Sequence, residues 1–140
     1  GKIYALKILK KAKIEQKHQK GNVKQERNIL IDCDHPFIVK LKHTFQNEKK
    51  LYFALEYCPG GELFNLLSQR RQFSEDQARF YIGQIILAIE YLHDRDIIYR
   101  DLKPENVLID LEGYLKLTDF GLSKKGIKGN KGANSVCGTP

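Results

Sequence analysis

The sequence predicts an α+β fold in two lobes, a small sheet-containing lobe followed by a mainly helical one. Short segments of alternating polarity dominate the first part of the chain, as expected of strands. A Pro-Gly-Gly tripeptide at 59–61 then interrupts the chain, and apolar residues recur at helical spacing after it. We therefore expect a small lobe at 1–57, a hinge at 58–61 and a large lobe at 62–140.

The small lobe is expected to contain an antiparallel sheet and one helix. Residues 2–9 alternate in polarity and predict a strand, whereas 10–21 are polar and rich in lysine. Asn22 is followed three residues later by Gln25, a pattern that is typical of a helix N-terminus. A helix is therefore predicted over 22–31.

Two more strands are predicted on either side of a turn. The Asp-His-Pro sequence at 34–36 ends the helix, and residues 38–45 then alternate in polarity. Residues 47–50 are polar and predict the turn, so that 51–57 forms the second strand of the pair.

The large lobe is predicted to begin with a short helix at 62–69. A capping box at 74–77 opens a longer helix with an apolar stripe. Short strands are predicted at 107–109 and 115–117, and the Gly- and Lys-rich segment 124–134 predicts a loop. The residues of the apolar stripe that are expected to face the core are Ala78, Tyr81, Ile82, Ile85, Ile86, Ile89 and Leu92.

Net charge, cysteine count and the lack of a long apolar segment limit the partners and the location that we expect for the chain. The chain carries a net charge of +7, which fits either a solvated basic surface or nucleic-acid binding. We favour the solvated surface, with no nucleic-acid partner, because the lysines are dispersed and no nucleic-acid motif accompanies them. The sequence shows no signal peptide and no transmembrane segment, and three cysteines without CxxC spacing fit free thiols in a reducing compartment. A cytoplasmic location is expected, with the nucleus as the alternative.

Two motifs carry the chemistry. Residues 99–106 read Tyr-Arg-Asp-Leu-Lys-Pro-Glu-Asn, and residues 119–121 read Asp-Phe-Gly. Together they supply a carboxylate base followed by a lysine, and two oxygen ligands of the kind that Mg²⁺ prefers. A chance string of polar loop residues is the alternative, but it does not explain eight positions in this order between predicted strands.

With these motifs the chain resembles the AGC group of serine/threonine protein kinases. Tyr99 stands where most kinases have His, and the strings at 35–39, 56–64 and 137–140 are typical of the group. The resemblance covers essentially all 140 residues. It implies a two-lobed protein kinase fold, ATP and Mg²⁺ as cofactors, serine and threonine residues of proteins as substrates, and an upstream activating kinase as a partner.

The resemblance also implies catalytic roles. Asp101 would orient the attacking hydroxyl, and Lys103 would neutralise charge on the transferring phosphoryl group, with Thr139 opposite it. Lys7 would hold the α- and β-phosphates of ATP, aimed by an ion pair with Glu26. The implied magnesium ligands are Asn106 and Asp119.

The implied adenine pocket draws on both lobes. Ala5 and Leu108 would sandwich the adenine, and Leu55 would close the back of the pocket. The backbone of Glu56 and Cys58 would hydrogen-bond the adenine edge. The implied position near the ribose is Glu62, and the residues implied to stack into an apolar spine between the lobes are Leu30, Leu41, Tyr99 and Phe120.

Substrate preference and regulation follow from the same resemblance. Glu62 and Glu105 match positions that bind basic residues upstream of the target. Ser135 matches an activation-loop phosphorylation site, with Arg100 and Lys124 as the cations that would hold its phosphate.

The sequence also resembles only the middle of a kinase. No glycine-rich strand pair precedes Lys7, and the chain ends before the Ala-Pro-Glu segment of the large lobe. We therefore expect a fragment that is inactive alone. A non-catalytic kinase-like binding or regulatory module is the alternative function, although the intact set of catalytic residues favours an enzyme.

Overall fold

The computed structural model describes residues 1–127 and residue 138. Within them the fold is α+β, as predicted, with small antiparallel sheets and four α-helices. In chain order the elements are β1 (Tyr4–Lys10), α1 (Lys11–Gln16), α2 (Lys20–Asp32), β2 (Leu41–Gln46), β3 (Lys50–Glu56), β4 (Gly61–Glu62), α3 (Leu63–Arg70), α4 (Glu75–His93), β5 (Ile97–Ile98), a 3₁₀ turn (Pro104–Asn106), β6 (Val107–Ile109), β7 (Leu115–Leu117) and β8 (Lys124–Lys125).

The first sheet has the strand order β1-β3-β2 and is antiparallel throughout. Successive side chains of a strand point to opposite faces. In β1 this alternation leaves Ala5, Lys7 and Leu9 half-buried on one face, while the residues between them are exposed. The register places Ala5 opposite Leu55, and Leu55 opposite Leu41.

The second sheet has the order β4-β6-β7, and a separate two-stranded sheet pairs β5 with β8. In the second sheet Glu62 lies opposite Leu108, and Leu108 lies opposite Lys116. Glu62, Leu108 and Lys116 therefore lie side by side across this sheet, although Glu62 is distant from the other two in the sequence.

Residues 38–40 lie outside the first sheet, so the strand predicted from residue 38 begins later, at Leu41. The reason is a competing contact with the second sheet. Ile38 forms an isolated parallel bridge with Leu117, and the Val39 N–H donates to the Leu117 carbonyl at 2.9 Å. Ile38 and Val39 are both buried, so this short segment joins the two sheets through the core.

The helix predicted from residue 22 begins at Lys20, and the predicted capping box at its start is wrong. The N-cap is Gln19, whose side chain makes no cap hydrogen bond, and Asn22 lies inside the helix. An additional short helix, α1, precedes α2 within the lysine-rich segment, so the first part of the chain holds two helices instead of the one predicted. Both helices pack beside the first sheet and bury Ile14, Ile29 and Leu30.

Helix α4 has the capping box that the sequence predicts, with reciprocal hydrogen bonds between Ser74 and Gln77. Its predicted apolar stripe is partly wrong, because Ile82 and Ile86 are 54% and 59% exposed. The buried positions are Gln84, Ala88 and Leu92. Burial of Gln84 is tolerated because both polar atoms of its side chain are hydrogen-bonded: Oε1 accepts from the Leu115 N–H at 2.7 Å and Nε2 donates to the Phe80 carbonyl at 3.1 Å.

The hydrophobic core is continuous through the described residues. It includes Ile29 of α2, Phe53 of β3, Leu92 of α4, Leu117 of β7 and Phe120. Among the elements of residues 1–127, no helix has the length and apolar character needed to span a bilayer.

Candidate functional site

Lys7 and Glu26 form a close ion pair between β1 and α2. Lys7 Nζ lies 2.7 Å from Glu26 Oε1 and 3.9 Å from Asp119 Oδ1. Glu26 is only 4% exposed, so its carboxylate has little solvent to compensate for the loss of the lysine. The ion pair therefore fixes the Lys7 ammonium next to Asp119.

The segment after β5 places Asp101 and Asn106 in contact. The 3₁₀ turn at Pro104–Asn106 folds the chain back, and Asn106 Nδ2 donates to both the carbonyl and the Oδ2 of Asp101 at 2.9 Å. Lys103 Nζ lies 3.4 Å from the same Oδ2. Asp101 and Asn106 are buried, so the Asp101 carboxylate is held in one orientation by an amide and a cation.

Asp119 adopts a left-handed backbone conformation, with φ of 59°. Asp tolerates this region better than most residues because its short side chain can bond locally. Here Oδ1 accepts from the Gly121 N–H at 3.3 Å. A Cβ on Gly121 would lie 3.3 Å from Asp119 Oδ1, which is a tight contact. Glycine at this position therefore leaves room for the hydrogen bond between the Asp119 carboxylate and the Gly121 N–H. The side chain of Asp119 is 51% exposed and open to a ligand.

Tyr99 and Phe120 lie beneath these polar groups. Their rings meet edge to face at 5.1 Å, and both side chains are buried. The Tyr99 hydroxyl donates to the Thr118 carbonyl, and burial raises the pKa of this phenol far above its usual value. The pair therefore supports the backbone on either side of Asp119. Of the other two predicted spine residues, Leu30 is buried and Leu41 is half-buried against the same core.

The predicted adenine residues lie on two sheets, as one cross-strand pair in each. Ala5 and Leu55 are cross-strand partners, and Leu55 is buried. Leu108 lies on β6 opposite Glu62, which is the N-cap of α3. Cys58 is buried as a free thiol, and burial raises its pKa to about 11. The structure thus places Ala5 and Leu55 on the first sheet and Leu108 and Glu62 on the second.

The predicted regulatory residues are only partly described. Arg100 Nε donates to the Leu122 carbonyl at 2.7 Å, and Lys124 lies in β8 opposite Ile98. The first two residues of the loop predicted at 124–134 therefore form a short strand instead, and residues 128–134 lie outside the described residues. Ser135 and Thr139 lie outside the described residues. Glu105, predicted to bind substrate, is exposed in the 3₁₀ turn.

Two lysines with structural partners at this site were missed from the sequence. Lys116 Nζ lies 3.1 Å from Glu56 Oε1, and its side chain is only 12% exposed. The Leu-Lys-Leu alternation of β7 predicts an outward lysine, so the pattern gives no signal of this burial. Lys125 Nζ lies 2.6 Å from Asp32 Oδ2 and connects β8 to the end of α2.

The donor set near Asp101 fits a magnesium ion that is shared with a phosphate ligand. The amide nitrogen of Asn106 is used by Asp101, which leaves the amide oxygen to face a cation, and Asp119 supplies an exposed carboxylate. Within residues 1–127, no group of three or more His, Cys, Asp or Glu side chains forms a metal site by itself. Mg²⁺ retains water and phosphate oxygens and needs only one or two protein carboxylates, so two protein ligands are sufficient.

Comparison with known proteins gives consistent matches over the whole chain. The protein kinase domain family matches residues 1–140. Serine/threonine-protein kinase sgk-1 of Caenorhabditis elegans is 53% identical over 140 residues, which are 99% of this chain and 30% of the relative. Ribosomal protein S6 kinase alpha-3 of Homo sapiens is 51% identical over 137 residues, covering 98% of this chain and 18% of the relative. The chain thus spans less than a third of the length of these relatives.

Proposed function

We propose that the chain is part of a serine/threonine kinase. The premise is that it belongs to the protein kinase domain family and is identical to AGC-group kinases at about half of its positions. The reaction is transfer of the γ-phosphoryl group of ATP to a hydroxyl of a protein substrate. The observation that carries the proposal is the part-buried Lys7–Glu26 ion pair beside Asp119, 2.7 Å in length. This arrangement places the Lys7 ammonium close to Asp119, where it could bind a nucleotide phosphate beside the proposed magnesium ligand.

Binding of the nucleotide uses residues from both sheets. Lys7 contacts the α- and β-phosphates, and Glu26 prevents the ammonium from moving away. Ala5, Leu55 and Leu108 enclose the adenine, while the backbone of Glu56 and Cys58 bonds its edge, and Glu62 lies near the ribose. Residues 1–57 then act as one lobe and 62–140 as the other, joined at 58–61.

Phosphoryl transfer uses the Asp101 turn. The substrate hydroxyl attacks the γ-phosphorus and its proton passes to Asp101 Oδ, while the bond between the γ-phosphorus and the bridging oxygen breaks and ADP leaves. Lys103 neutralises the charge on the transferring group. Asn106 and Asp119 would hold Mg²⁺, which would stabilise the charge on the phosphates. The Asn106 hydrogen bonds keep Asp101 oriented towards the incoming hydroxyl.

Substrate preference and regulation are further parts of the proposal. Glu62 and Glu105 are carboxylates that would bind basic residues upstream of the target, and Thr139 would accompany Lys103 in favouring serine and threonine. An upstream kinase would phosphorylate Ser135, and Arg100 and Lys124 would bind that phosphate.

The test is the Asp101→Asn variant of the intact protein, assayed for transfer of labelled phosphate from ATP to a basic serine peptide. Loss of a positioned base lowers rates by about 10²- to 10⁴-fold, so we expect a drop of that size with nucleotide binding retained. Asp94→Asn, at the exposed C-cap of α4, is the matched control and should leave the rate unchanged.

Two results would contradict the proposal. Transfer by Asp101→Asn at the parent rate would exclude the assigned base. A parent protein that binds ATP and transfers no phosphate to any peptide would instead support the non-catalytic binding module.

A further inference from the structure

Glu56, the last residue of β3, has both of its carboxylate oxygens engaged. Oε1 lies 3.1 Å from Lys116 Nζ on β7, and Oε2 accepts from the Lys40 N–H at 3.2 Å. The Glu56 N–H also donates to the Lys40 carbonyl at 2.8 Å. Glu56 is therefore fixed both to the segment before β2 and to a strand of the second sheet.

The Glu56–Lys116 pair is partly shielded from solvent. The side chain of Lys116 is 12% exposed and that of Glu56 is 29% exposed. Exposed ion pairs contribute little, whereas a shielded charge that loses its partner is strongly unfavourable. Lys116 lies at the edge of a cavity of about 380 Å³, whose lining also includes the exposed Lys42.

The position of Lys116 in the second sheet links this pair to the proposed nucleotide pocket. Lys116 lies opposite Leu108, the proposed floor of the adenine pocket, and Leu108 lies opposite Glu62, the proposed ribose contact. Because Lys116 and Leu108 are paired in the same sheet, a shift of Glu56 relative to Lys116 is also a shift of Glu56 relative to Leu108.

We define residues 57–60, which follow Glu56, as the linker. The far end of the linker is held by a hydrogen bond to β6. The Gly60 N–H donates to the Ile109 carbonyl at 2.9 Å. A Cβ on Gly60 would lie 2.6 Å from Ile109 Cβ, so only glycine allows the linker to pack this closely on β6. The linker is therefore attached to β6 at Gly60 and, through the Glu56 side chain, to β7.

We propose that Lys116 is a positioning residue for adenine recognition: by holding Glu56 against β7, it sets the distance between the linker backbone and the Leu108 floor. The inference rests on the proposed function, because it concerns the same nucleotide pocket. Lys116 does not touch the nucleotide in this account and acts only through Glu56. Its loss should weaken binding of the base and leave phosphoryl transfer by Asp101 unchanged.

Adenosine is a suitable probe because it has no phosphates for Lys7 or magnesium to bind. The experiment compares the intact parent protein with Lys116→Met, which keeps the length of the side chain and removes its charge. Lys116→Arg keeps the charge, and Lys42→Met removes a lysine from the same cavity lining without touching Glu56. Adenosine affinity is measured by calorimetry, and KM for ATP and kcat are measured with a peptide substrate.

We expect Lys116→Met to bind adenosine about tenfold more weakly, which corresponds to about 1.4 kcal/mol. KM for ATP should rise by a similar factor, while kcat changes by less than about twofold. Lys116→Arg and Lys42→Met should both stay within about twofold of the parent.

Several outcomes would overturn the inference. Adenosine affinity unchanged in Lys116→Met, with the parent active, would refute it and leave the proposed function intact. A fall in kcat at constant KM would assign Lys116 to the chemical step instead. A parent that binds no adenosine would refute the proposed function, and this inference with it.

A second variant covers the case in which Lys116→Met does not fold, as judged by circular dichroism. Glu56→Gln keeps a hydrogen-bond acceptor for Lys40 and removes the charge that faces Lys116, so the same loss of adenosine affinity is expected. If neither variant folds, the pair is a determinant of folding and the positioning role is refuted.

Discussion

Two ion pairs along α2 have nearly equal lengths but lie in different surroundings. Lys7 and Glu26 are 2.7 Å apart, with side chains 31% and 5% exposed, whereas Lys125 and Asp32 are 2.6 Å apart, with side chains 48% and 51% exposed. Solvent therefore screens the second pair more strongly than the first. The comparison shows that burial, and not distance, is what distinguishes the two charged contacts of this helix.

The largest expected effect comes from breaking the buried pair. Lys7→Met in the intact protein should lower the rate of phosphoryl transfer by about 10²-fold or more, because the variant removes a preorganised charge next to Asp119. Initial rates at saturating peptide measure the effect. Lys10→Met, on the exposed face of the same strand, is the control and should retain the parent rate. An equal loss of rate in Lys7→Met and Lys10→Met would mean that Lys7 affects the stability of the protein and not the phosphoryl transfer.

The buried hydrogen bond between Gln84 and the Leu115 N–H tests the effect of burial for a contact without charge. Gln84→Ala should lower the free energy of unfolding by about 1–3 kcal/mol, because the buried Leu115 N–H loses its acceptor. Urea denaturation of the intact protein measures the change. Gln69→Ala, at an exposed position of α3, should have an effect below about 0.5 kcal/mol. A Gln84 variant as stable as the Gln69 variant would contradict the burial argument.

The smallest effect is expected from the exposed pair. Lys125→Met should lower the free energy of unfolding by less than about 1 kcal/mol, and the loss should shrink at high salt. A double-mutant cycle with Asp32→Asn isolates the pair and distinguishes it from the separate loss of each side chain. A coupling energy that exceeds this limit and resists salt would show that the pair is shielded in the intact protein.

Local sequence signals are informative where the residues involved are close in the chain. Asp101 and Asn106 lie on either side of one short turn, and the structure brings their side chains into contact, while their catalytic roles stay predictions. The Ser74 capping box is equally local and is confirmed. Lys116 escaped prediction because its partner Glu56 is distant in the sequence and its own strand has an ordinary alternating pattern. Asn22 shows the opposite error, since a valid local pattern was overridden when the helix began earlier.

The sequence by itself determined the class of fold, the periodicity of most elements and the identity of the chemical groups, since each depends on residues that are close in the chain. Only the tertiary structure decided which of these groups are buried and which meet. Ile82 and Ile86 remain exposed while Gln84 is buried, because β7 packs on one side of α4. Glu26 holds Lys7, and Lys116 holds Glu56, because separate strands and helices pack together and partly shield those contacts from water. Burial and ion-pair strength depend on the surrounding elements, and no local pattern contains that information.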